Sequence, residues 1–190
     1  GLDQIESLDS NGIPVTFHIE ASYLKPLVKS PREVKGYKVK EDELSYSVLL
    51  VRETDRDKLE GRKVLEYIEW GEEQGYNSRS TLRRNPVWWC LPKLLPAQVL
   101  FRQFYDTRFN LPLNEAGFAV DHTFYYPVGC ENSKVLGALV NSTIVYFFLE
   151  LLGRVNQSDG VLTCYGPELR SLNIPLPGCF EGEMQEELLA

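Results

Sequence analysis

The stretch SKVLGALVNSTIVYFFLELL, from Ser133 to Leu152, decides how this chain is read. Leu136, Leu139, Val140, Thr143, Phe147 and Leu151 recur at three- and four-residue steps, and Ile144 and Phe148 widen the apolar face. That period predicts a long apolar helix near residues 133–152, with Asn132 as its N-cap and Gly153 as its stop. Asn141-Ser142 in its middle predicts a bend or a second start. The Phe147-Phe148 and Leu151-Leu152 face is assigned to the core. Polar residues interrupt the run, so no membrane span is expected.

Working outward, Val15–Ile19 alternates as a strand does, and Tyr46 to Val51 is a clearer one. Val64, Leu65, Tyr67 and Ile68 fall at helical spacing, so residues 62–74 read as an amphipathic helix broken by Gly75, Asn77 and Ser78. Gln98–Phe101, Phe118–Tyr126 and Gly160–Tyr165 read as further strands, and Leu172–Pro177 as an extended close. Strands scattered among helices, without a βαβ rhythm, predict an α+β architecture of mixed sheets. Three regions are expected: an acidic segment over 1–20, a main domain over 21–178 and an acidic tail over 179–190.

The composition, 43% hydrophobic and 25% charged over 190 residues, is that of a folded globular chain rather than a disordered one. No charged-then-apolar leader opens it, and a cytoplasmic setting is expected. It begins Gly1-Leu2-Asp3 without methionine and is read as a piece of a longer polypeptide. Cys90, Cys130, Cys164 and Cys179 are far apart, with only His18 and His122 to join them, so free thiols are expected and no metal site.

The net charge of -7 is unevenly spread. Asp3, Glu6, Asp9 and Glu20 stand at one end, and Glu181, Glu183, Glu186 and Glu187 at the other, each without a base beside them. The remainder holds 20 bases against 19 acids. Within residues 79–108, Arg79, Arg83, Arg84, Lys93, Arg102 and Arg108 face one acid, Asp106. Local field governs encounter with a polyanion, so net acidity does not exclude nucleic acid.

The segment RSTLRRNPVWW, Arg79 to Trp89, places three guanidinium groups ahead of a proline and two indoles. Guanidinium suits paired hydrogen bonds to phosphate or a guanine edge. Arg79, Ser80, Arg83, Arg84, Arg102 and Arg108 are therefore candidate DNA contacts, and so are Arg154, Asn156 and Gln157 in the polar turn after the long helix. Trp88 and Trp89 are candidate stacking or anchoring rings, and β-alternation would send them to opposite faces. The bland alternatives are a solvated loop paired to Glu72 or Glu73, and an Arg154 that neutralises a helix end.

No glycine-rich nucleotide loop, GxSxG, HExxH or Asp/Asn-Pro-Pro-Tyr/Phe tetrapeptide occurs, so no catalytic residue is assigned. A resemblance gives these absences a context. Glu20–Ser30, Ile68–Gly71, Ser80-Thr81, Arg84–Trp89, Ala138–Ser142, Glu150–Arg154 and Leu172–Pro177 stand in the order found in the TaqI-like C-terminal specificity domain. That is the target-recognition domain of type II restriction–modification adenine methyltransferases. Val140 replaces a commoner leucine, and Gln157–Gly160 stands where a Gly-Gly turn is usual. The resemblance implies a non-catalytic domain that reads double-stranded DNA for a methyltransferase domain of the same parent chain. S-adenosylmethionine is then the parent's cofactor, with none in this fragment. The rival reading is a scaffolding module that packs on a larger enzyme without touching nucleic acid.

Overall fold

A computed structural model describes residues 1–82, 85, 87–106, 109–155, 160–175, 177–180 and 182–189. In chain order its strands are β1 (Leu2–Leu8), β2 (Pro14–Glu20), β3 (Leu24–Val28), β4 (Tyr46–Leu49), β5 (Phe101–Arg102), β6 (Phe104–Tyr105), β7 (Ala119–Val120), β8 (Phe124–Tyr125), β9 (Arg154–Val155) and β10 (Leu162–Thr163). Its helices are α1 (Lys63–Glu73), α2 (Ser133–Val140), α3 (Thr143–Leu152), α4 (Gly166–Arg170) and α5 (Glu183–Leu189). Small sheets among helices make this the expected α+β fold. The chain forms two units, one from Gly1–Lys25 with Ser47–Leu94, the other from Pro26–Tyr46 with Leu95–Ala190.

In the first unit, β1 and β2 form an antiparallel hairpin running from Leu2↔Glu20 to Leu8↔Pro14. Its turn is held by the Asp9 carboxylate, which accepts from the amides of Asn11 and Ile13 at 2.8 Å each. Alternation along β2 turns Phe17 and Ile19 toward α1, where they meet Val64 and Ile68, with Val51 and Leu59 completing the buried cluster. The start of α1 is capped from outside the helix. Glu20 accepts from the amides of Lys63 (2.8 Å) and Val64 (3.1 Å), satisfying two of the donors a helix leaves open. Burial works against the charge on Glu20, but these amides outweigh it and hold its carboxyl below the ordinary value.

The second unit is built around Tyr105, Leu111, Val135, Val140, Leu149 and Leu162, each nearly or fully buried. A second cluster gathers Val28, Val34, Val39, Ala97, Leu100 and Phe124. β3 pairs in parallel with β7 at Leu27↔Ala119, β5 lies antiparallel to β8, and β10 sits between β6 and β9.

The long helix expected over 133–152 is two helices, α2 and α3, bent by 66°. Asn141 makes the break. Its Oδ1 accepts from the Leu111 amide (2.9 Å), and its Nδ2 donates to the carbonyls of Leu111 (2.8 Å) and Gly137 (2.7 Å). The Tyr146 hydroxyl also donates to Asn141 Oδ1 at 2.9 Å. A short amide side chain competes with the helical ladder for backbone partners, and here it captures a neighbouring loop instead. Among the described residues no single helix is long and apolar enough to cross a membrane.

Candidate nucleic-acid interface

The arginine-bearing loop grows directly from the end of α1. Gly75, at φ +74°, takes the left-handed conformation that ends the helix, and a short turn follows over Tyr76–Ser78. Arg79 then lays its guanidinium over the Tyr76 ring, 4.0 Å from the centroid. That contact orients the group, and both Arg79 and Ser80 are exposed. Turn bonds run from the Leu82 amide to the Arg79 carbonyl and from the Asn85 amide to the Leu82 carbonyl, 2.9 Å each.

The far side of the loop is pinned. Asn85 Nδ2 donates to the Cys90 carbonyl at 2.8 Å, and Asn85 Oδ1 accepts from the Val87 amide at 3.2 Å. Trp88 Nε1 donates to Glu72 Oε1 on α1 (3.0 Å), and Trp89 Nε1 to the Glu53 carbonyl (3.1 Å). Glu72 is itself gripped by Arg56, whose Nη1 reaches both its oxygens at 3.1 and 3.0 Å. The indoles do not alternate to opposite faces as a strand would place them. They stand in a turn, edge to face at 6.4 Å, and both pack on the first unit's core. Trp88 fits there because Gly71 presents no side chain.

Of the other predicted contacts, Arg102 and Arg154 belong to the second unit. Arg102 is partly buried, its Nη2 donating to the Val34 carbonyl at 3.1 Å, while its Nε is buried without a partner among the described residues. Burial lowers its pKa. Arg154 is exposed and ion-paired with the buried carboxylate of Glu168. Arg83, Arg84, Arg108, Asn156 and Gln157 lie outside the described residues. Among the described candidates, Arg79 and Ser80 are exposed just after α1, whereas Trp88 and Trp89 pack on the first unit's core.

Sequence reasoning missed Tyr76, Glu53 and Gly71, which position the arginine-bearing loop, and named Glu72 only as a partner for one of its arginines, not for the Trp88 indole. A tyrosine three residues before Arg79 was the one visible signal. It also missed an open cleft of about 730 Å³ in the second unit, lined by Tyr125, Tyr126, Cys130, Leu136 and Arg170 among others. Among the described residues no group of three His, Cys, Asp or Glu side chains could hold a metal ion.

Compared with known families, residues 16–189 match the family model described as type II methyltransferase M.Eco57I, C-terminal domain. No curated protein matches the chain.

Proposed function

The chain belongs to the M.Eco57I C-terminal-domain family of type II methyltransferases, and from that premise we propose that it reads double-stranded DNA for the adenine-methylating part of the same polypeptide. The observation that carries this reading is the loop's construction. An exposed guanidinium leads a segment whose other end is bonded to Glu72, Glu53 and Cys90. A pinned base lets a short loop present cations without a large ordering cost on binding. Arg79, Ser80, Arg83 and Arg84 contact the duplex from this loop, with phosphate contacts setting register and base-edge contacts setting sequence. In the second unit, Arg154 is a separate candidate contact where it can leave Glu168, and Arg108, Asn156 and Gln157 are candidates from the sequence alone. Arg102, held by the Val34 carbonyl, serves the fold first.

Holding one side of the duplex lets the methyl-transferring part extrude an adenine into its own pocket. S-adenosylmethionine supplies the methyl group there. No step is assigned to it in this chain.

The test is fluorescence anisotropy of a labelled duplex carrying the parent enzyme's site, titrated at a series of salt concentrations. Binding should weaken with a log–log slope of about -0.9 per phosphate neutralised. Changing Arg79, Arg83 and Arg84 together to alanine should make that slope shallower by up to about 3. An unchanged slope removes this loop from the interface, and no duplex binding at any salt favours the scaffolding role.

A further inference from the structure

α3 has two apolar faces, and the fold covers one of them. Val145 and Leu149 are 3% and 1% exposed in the core, as a helix packed on one side requires. On the other side Ile144, Phe147 and Leu151 are 58%, 55% and 63% exposed, so the expected assignment of the Phe147–Leu151 face to the core is corrected. Phe148 is partly buried, its ring 6.1 Å from that of Phe147. The spacing of this stripe is that of a helix face meant to be packed, and a helix apolar all round is ordinarily buried all round.

The size of the patch bears on what covers it. Three exposed large side chains and one partly covered ring amount to roughly 400 Å², the scale at which a surface patch marks an interaction site. That is about half of the ~800 Å² per partner that a specific association between separate molecules buries. A second copy meeting this stripe alone would be under-provided. A partner on the same polypeptide faces no such requirement, because tethering holds it at an effective concentration in the millimolar range. Membership in a family of methyltransferase C-terminal domains places such a partner in the same chain. A lipid occupant fits less well, since α2 and α3 bend by 66° and α2 gives Val135, Leu136 and Val140 to the core.

We propose that the outward stripe of α3, centred on Phe147 and Leu151, seats the methyl-transferring part of the same polypeptide. The inference rests on family membership and not on the DNA-reading loop, which belongs to the other unit.

The test places a thiol on the stripe. Phe147→Cys and, separately, Leu151→Cys are made both in this 190-residue chain and in the full-length methyltransferase that contains it. Native-state maleimide labelling is followed by peptide mass spectrometry, which resolves the new thiol from the native cysteines. The buried thiol of Cys164 reports that each variant is folded. Both new thiols should react at least about tenfold more slowly in the full-length chain, independently of concentration. Equal rates in the two chains overturn the proposal. Slowing that grows with concentration in the 190-residue chain assigns the face to a second copy, and slowing only with phosphatidylcholine vesicles assigns it to lipid. Duplex binding by the same variants should be unchanged, so a failure of the DNA reading is scored separately.

Discussion

Replacing Gly71 by alanine probes how the loop is mounted. A Cβ at Gly71 would lie 2.7 Å from Cη2 of the Trp88 indole and 3.4 Å from Cζ2. Alanine in a helix interior is favoured over glycine by about 1 kcal/mol, which alone would stabilise α1. The ring opposes this because it has little room to retreat. Its Nε1 is bonded to Glu72, Trp89 stands against it edge to face, and both rings pack on the core. Overpacking of such a site costs roughly 1–3 kcal/mol, so the net effect should be a destabilisation of about 1 kcal/mol. Trp88→Phe removes the outer ring that makes the close approach. In that background Gly71→Ala should turn stabilising, giving a coupling of about 2 kcal/mol. Urea unfolding followed by tryptophan fluorescence suits the measurement, because Trp70, Trp88 and Trp89 all lie in the first unit. An identical effect of Gly71→Ala in both backgrounds would refute the reasoning.

Three further outcomes are expected. Asn141→Ala should lower stability by about 2–4 kcal/mol in a urea titration followed by far-ultraviolet circular dichroism, since four hydrogen bonds end on that side chain; a loss under about 1 kcal/mol would mean the break does not depend on them. Cys164, its thiol pushed up to about 11 by burial and by the nearby Glu168 and Glu150 carboxylates, should resist alkylation at pH 8 while exposed Cys179 reacts, and comparable labelling of the two in native protein would contradict that environment. At Glu168, burial opposes ionisation, but the Tyr165 amide and Arg154 outweigh it and hold the carboxyl below its ordinary 4.5. A depressed folded-state pKa contributes stability that is present above 4.5 and lost as pH falls through the folded value. Glu168→Gln should therefore flatten the acid limb of the stability–pH curve below 4.5, and superimposable limbs would count against the pairing.

What the sequence revealed depended on whether a local pattern had one interpretation. The alternation of Val15–Ile19 and the spacing of Val64, Leu65 and Ile68 each name one buried face, and β2 and α1 follow them closely. β1 was hidden because most of its residues are exposed and its apolar positions are few. Ser133–Leu152 was legible as helical, with a bend foreseen at Asn141. Its solvent face was not, because periodicity cannot rank two faces that are both apolar. The alternation argument for Trp88 and Trp89 failed since they occupy a turn, where side-chain direction follows the local bonds to Glu72 and Glu53. The arginine loop stood out through its composition, whereas the partners of its two indoles lie 16 and 36 positions away and carry no local signature.

The interleaving of the two units has a consequence for how such a chain can diversify. Residues 26–46 belong with 95–190, and 1–25 belong with 47–94. A single crossover with a relative, anywhere between the two ends, therefore leaves at least one compact body assembled from mismatched halves. Each half must then repack against a partner it did not evolve beside. Wholesale exchange avoids this, as does altering residues in a surface loop whose buried footing stays untouched. Under the DNA-reading role proposed above, new sequence preference is then most accessible through point changes in the loop, with the scaffold inherited intact.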